Sequence, residues 1–149
     1  MAAWEHDVEV TRTECAECGA PPVDGIDCWA QLGALLAWEW DDPALQAEHF
    51  LTVAAYNLQH PAQFTDDALV GLRSAFVDRL DRGVAVEELR RRAAGGFEGP
   101  KRVLKPAAER RPVPRRWRMT IADVYLPDEP RGAAERVRAW AAAIRAELA

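Results

Sequence analysis

The sequence predicts an all-α protein: a compact helical bundle with a zinc-knuckle-like turn near its N-terminus and a long irregular connection before its last helix. Two observations carry that expectation. Apolar residues recur at helical spacing in four stretches before residue 95 and in one after residue 130. Asp, Thr, Pro and Gly stand at the points where these stretches begin and end.

The first helix is expected from about Cys28 to Trp40, capped by Asp27, whose carboxylate can accept from free amides of the first turn. Trp29, Leu32, Leu35, Leu36, Trp38 and Trp40 give it the broad apolar stripe of a buried helix, with its tryptophans in the core. Asp41-Asp42-Pro43 ends it and opens a second helix to about Gln59, since proline suits a first helical turn. His60-Pro61 closes that helix, because proline disfavours helical geometry in the residue before it. Thr65-Asp66-Asp67 starts a third, with Leu69, Leu72, Phe76, Val77 and Leu80 on one face and Gly83 after its end. Val86 to Ala94 is a short fourth helix. Gly95, Gly96, Gly99, Pro100, Pro106, Pro112 and Pro114 then make residues 95–116 irregular. Trp117 to Tyr125 reads as either a strand or a short helix capped by Thr120, and the last helix spans about Arg131 to Leu148.

A chain of 149 residues, 49% hydrophobic and 29% charged, has the size and composition of one domain with a core of its own. Residues 1–149 are therefore expected to form a single helical domain, with the metal site and helical core in 15–94, a basic connector in 95–118 and a C-terminal segment and helix in 119–149. No run approaches the ~18 apolar residues of a membrane span. The acidic start lacks the basic and apolar regions of a signal peptide, which points to the cytoplasm. The net charge of −5 divides unevenly: residues up to Leu89 carry 17 acidic and 4 basic side chains, and the remainder carry 7 and 15. The basic half is expected to fold onto the acidic one, which makes nucleic acid an unlikely partner.

Three cysteines are an odd number and fit a disulfide framework poorly. Cys15-Ala16-Glu17-Cys18-Gly19 is a C-x-x-C-G knuckle, in which a turn aims two thiolates at one metal and Gly19 tolerates a positive φ. A redox pair would sit at a helix start after a strand, whereas a proline-rich turn follows here. Cys28, His6, His49 and His60 are the candidates for the two remaining ligands. His49 and His60 are eleven residues apart, about 16 Å on a continuous helix, too far to share an ion. The tight Asp41-Asp42-Pro43 turn makes the first two helices antiparallel neighbours, so Cys28 meets His60 at one corner, within reach of the knuckle. Cys15, Cys18, Cys28 and His60 are thus the expected ligands of a structural zinc, with no position left for water.

These residues also carry a resemblance. Cys15 to Pro61 is similar to a bacterial family of unknown function, whose members have a cysteine knuckle, a cysteine-led helix and a helix ending in Leu-Gln-His-Pro. The matching stretches are Cys15 to Gly19, Cys28, Trp38 to Pro43, His49 to Val53 and Tyr56 to Pro61, with weaker similarity at Trp117–Val124 and Val137–Trp140. The resemblance implies a shared fold and the same metal ligands. It brings no activity.

The leading functional expectation is a zinc-stabilised helical module that binds a protein or a small molecule, without chemistry of its own. One alternative is a metal-dependent enzyme using His49 with Glu39 or Asp41 near an open metal position. Another is a nucleic-acid binder acting through residues 101–118, where eight Lys or Arg face one Glu and Trp117 lies close by. No phosphate-binding glycine loop, nucleophile–base pair or hydrolase elbow is present in the sequence.

Overall fold

A computed structural model of the chain describes residues 14–96 and 103–148. Among these residues the regular structure is helical, with six α-helices, four 3₁₀ turns and no β-strand. The helices are α1 (Cys28–Trp38), α2 (Pro43–Ala47), α3 (His49–Leu58), α4 (Asp66–Arg82), α5 (Val86–Gly96) and α6 (Ala133–Glu147).

The local signals act as expected at most boundaries. Asp27 accepts from the Ala30 amide and caps α1, Asp42 accepts from Leu45 and caps α2, and Thr65 accepts from Ala68 and caps α4. Gly83 ends α4 in the left-handed region at φ 63°, where its amide closes on the Arg79 and Asp78 carbonyls. The ambiguous stretch after Trp117 resolves as a 3₁₀ turn, Ile121–Asp123. Thr120 and Asp123 cap it reciprocally, so the hydroxyl and the carboxylate each satisfy a backbone amide.

Two expectations are corrected. The helix expected over Pro43–Gln59 is two helices, because Glu48 leaves helical geometry at φ −99° and ψ 15° and turns the chain between α2 and α3. Trp29 and Trp40 are not core residues: they are 68% and 88% exposed. Helix α1 carries no charge around its whole circumference, and the core fully encloses only the side bearing Cys28, Gln31, Leu32 and Leu35.

The core centres on α6. Its Val137, Trp140, Ala141 and Ile144 are fully buried, and it packs against α2, α3 and α4. At the middle of this packing Gln59 makes a polar joint. Its Nε2 donates to the Met119 carbonyl at 2.8 Å, and its Oε1 accepts from Trp140 Nε1 at 3.2 Å. Gln59 is almost fully buried, so these bonds are what make an amide tolerable there. On the surface, Arg145 grips the Asp81 carboxylate with two nitrogens, and Arg138 pairs with Glu48 at 2.7 Å. Arginines of α6 thereby tie the basic half to the acidic half.

Candidate metal centre

Three separate stretches of chain build the site. Residues Cys15–Ala20 fold into a tight knuckle in which the Gly19 amide donates to the Cys15 carbonyl and the Cys15 amide to the Ala20 carbonyl, both at 3.0 Å. Gly19 takes φ 78°, a conformation that a side chain would strain. Two backbone amides point at sulfur: Glu17 N–H at Cys15 Sγ and Ala20 N–H at Cys18 Sγ, each 3.4 Å. The Ala20 amide acts to favour the Cys18 thiolate, the form that a metal needs. Asp24 and Gly25, at φ 50° and 79°, reverse the chain between Val23 and Ile26 and return it to α1. Gln31 holds that return in place by donating to the Pro21 and Ile26 carbonyls.

Cys28 is the first residue of α1, where the positive end of the helix dipole favours a thiolate. His60 follows α3 after the Gln59 cap. Its Nδ1 is 2.6 Å from the Tyr56 carbonyl, which can only accept, so an Nδ1 proton is fixed there and Nε2 is the ring nitrogen turned toward the sulfurs. Nε2 lies 3.5 Å from Cys28 Sγ and 3.6 Å from Cys15 Sγ.

The ligand atoms of Cys15, Cys18, Cys28 and His60 all fall within 4.8 Å of one another. With metal bonds of about 2.0–2.3 Å, the edges of a ligand tetrahedron measure about 3.5–3.8 Å. The two histidine–sulfur separations match those edges. Three sulfurs and one imidazole nitrogen are the donor set of a soft or borderline ion, so the cluster has the chemistry and the spacing to hold a metal.

Electrostatics in the cluster follow from crowding ionisable groups in one buried place. The hydrogen bond from Cys18 lowers the Cys28 thiol to about 4, helped against burial by His60 and Tyr56. The Cys18 thiol is pushed up by donating that bond and by burial. Burial disfavours the charged form of His60, yet the Cys28 hydrogen bond and the Tyr56 carbonyl raise it to about 9.

Helices α1 and α3 run antiparallel, as two contacts show. The start of α1 meets the end of α3 at Cys28 and His60, and the residue after α1, Glu39, meets the start of α3 at His49. His49 therefore belongs to the opposite end of the pair. Its Nδ1 shares both Glu39 oxygens at 2.9 and 3.0 Å, and Asp41 takes no part in that bond. His49 enters no metal-ligating group among the described residues. His6 lies outside them.

Beside the knuckle a cleft of about 420 Å³ opens between Cys15–Gly19 and Pro114–Trp117. The basic connector forms its far wall, with the Arg115 guanidinium 4.0 Å above the Trp117 ring. The connector joins the body through backbone groups: the Arg115 amide donates to the Glu17 carbonyl, and its guanidinium to the Glu147 carbonyl. None of the ion pairs among the described residues uses a connector arginine. Lys101 and Arg102 lie outside the described residues.

The order of knuckle, cysteine-led helix and Leu-Gln-His-Pro turn now has a structural basis, and a family model matches residues 13–149. The chain belongs to a family of unknown function, DUF5946. No curated protein and no solved structure matches it. Two residues of this DUF5946 chain complete the centre without being ligand candidates in the sequence. Tyr56 stacks on the His60 ring and touches Cys28 with its hydroxyl. Glu17 accepts from the Ala62 amide through Oε2, tying the knuckle to the turn after His60. The four-residue spacing of Tyr56 and His60, across the end of α3, is the signal that could have found the first. No helix among the described residues is long and apolar enough to cross a membrane.

Proposed function

We propose that Cys15, Cys18, Cys28 and His60 hold one zinc ion, and that this DUF5946 chain is a zinc-stabilised helical binding module rather than a catalyst. The observation that supports it is the convergence of all four donor atoms within 4.8 Å from three stretches of chain. Zinc bound by four protein ligands cross-links the chain and keeps no position for water. Residues 1–149 act, on this reading, as one helical domain. The three free thiols that the centre requires suit a reducing compartment such as the cytoplasm. The partner is a protein or a small molecule.

The test is elemental analysis of the purified chain with ligand variants. One zinc per chain is expected, falling sharply in Cys18→Ser and in His60→Ala. His49→Ala should keep full zinc, since His49 sits by Glu39 at the other end of the α1–α3 pair. Full occupancy in both ligand variants, or loss of zinc in His49→Ala, would refute the assigned tetrad.

A further inference from the structure

Helix α1, CWAQLGALLAW, carries no charged side chain. A helix without charge on any side is normally enclosed, yet Trp29 near its start and Trp40, in the 3₁₀ turn Glu39–Asp41 that follows its end, face solvent. At roughly 100° per residue, Trp29, Gly33 and Leu36 share one face of α1, with Ala30 and Ala37 beside it, and Trp40 follows in the 3₁₀ turn after the helix. Ala30, Gly33 and Ala37 are exposed and Leu36 is half-buried. Nothing lies within 4 Å of the place a Gly33 side chain would start. The outer face is thus a shallow saddle, low at Ala30, Gly33 and Ala37 and raised at each end by an indole. Trp40 stands eleven residues after Trp29, and the nine residues from Trp29 to the end of α1 alone rise about 14 Å, wide enough for one crossing helix of about 10–12 Å.

Charge narrows the occupant. Residues 14–72 contain ten Asp or Glu and no Lys or Arg. Asp24 and Asp27 stand exposed before the saddle, and Asp41 stands exposed after it. A second copy would bring acidic rims together whether it docked parallel or antiparallel, at an electrostatic cost. A basic partner meets the opposite situation.

We propose that the outer face of α1 docks an amphipathic helix of a partner protein, with an apolar stripe crossing between Trp29 and Trp40 and Lys or Arg on its flanks. Helix-in-groove recognition reads such a partner through apolar anchors one helical turn apart. Exposed tryptophans are where binding energy concentrates in an interface. The proposal rests on the binding half of the reading above and names its partner class.

The probe is a labelled amphipathic peptide of leucines at helical spacing among lysines, with a Leu/Glu counterpart, read by fluorescence anisotropy against the full chain. Micromolar binding of the Leu/Lys peptide is expected at about 0.15 M salt, with none for the Leu/Glu peptide. Trp40→Ala should weaken it about tenfold or more while zinc content and circular dichroism stay unchanged. Trp40 is the variant of choice because Trp29 touches Tyr56, and so neighbours the metal site. Unchanged affinity in Trp40→Ala, or equal binding of the Leu/Glu peptide, overturns the proposal. A wild-type dimer in sedimentation that Trp40→Ala abolishes also overturns it, in favour of self-association. Tighter peptide binding in Trp4→Ala does so too, assigning the face to the chain's own N-terminal segment. Tryptophan-dependent binding by protein that contains no zinc would leave this surface standing and remove only the metal reading.

Discussion

The Tyr56 ring lies stacked on the His60 imidazole, 3.9 Å between centroids and 19° from parallel, while its hydroxyl sits 3.6 Å from Cys28 Sγ. One side chain thereby orients two proposed ligands. Burial, and then the bond to Cys28, push the phenol above its ordinary value, so it stays protonated and can donate to a thiolate. Tyr56→Phe keeps the stack and loses the donor; zinc affinity should fall by about tenfold. Tyr56→Ala also removes the stack and should fall further, toward about a hundredfold. Competition with a chromophoric chelator measures both, and equal affinity in all three proteins would deny Tyr56 any role at the centre.

Metal loading should release protons. Near pH 7 the metal-free site holds one on His60, raised to about 9, and one on Cys18, raised as well, whereas Cys28 at about 4 is already a thiolate. At least two protons should therefore leave per zinc bound. Because His60 titrates at about 9, its share makes affinity climb with pH up to that value and no further. Calorimetry in buffers of different ionisation enthalpy counts the protons, and a count below two contradicts this protonation pattern.

Gln59 should matter more to stability than its position beside the ligand suggests. Gln59→Leu leaves both the Trp140 indole N–H and the Met119 carbonyl without their partner inside the core. Each unsatisfied buried group costs about 1–3 kcal/mol, so for the two a loss of about 2–6 kcal/mol is expected. Chemical denaturation of the zinc-loaded protein measures it. A change within experimental scatter of wild type would mean that the joint is dispensable.

The connector should behave as a surface strap. Among the described residues, the guanidinium groups of Arg110, Arg111 and Arg115 donate to carbonyl oxygens, so replacing Arg110, Arg111, Arg115 and Arg116 with Gln should destabilise only modestly. The loss should depend weakly on salt, because screening acts on charge pairs. Mixed-sequence RNA should show no tight, salt-sensitive binding to the wild-type chain. Micromolar binding that collapses as salt rises would restore the nucleic-acid reading.

The convergence of Cys15, Cys18, Cys28 and His60 was legible in the sequence because its logic is local and geometric. A knuckle, a capped helix start at Cys28, a tight turn at Asp41–Pro43 and a helix stop at Pro61 leave one place where four donors can meet. The break at Glu48 was not legible, since neither Gly nor Pro marks it. The exposure of Trp29 and Trp40 was hidden for a related reason. A helix uncharged on all sides carries no periodic signal to say which side the core will claim, and that choice is made by distant residues such as Tyr125, which packs on Trp38 at 5.2 Å.

The joint at Gln59 and the cluster at His60 are adjacent in sequence but draw on different lengths of chain. The ligand positions are complete once residue 60 has been made, whereas Gln59 waits for Met119 and Trp140. During synthesis, the four side chains between residues 15 and 60 that could hold a metal thus exist before α6, which packs on α3, has been made. The ion would then fix the end of α3 in advance and present Gln59 already placed, so that α6 docks last onto a prepared surface.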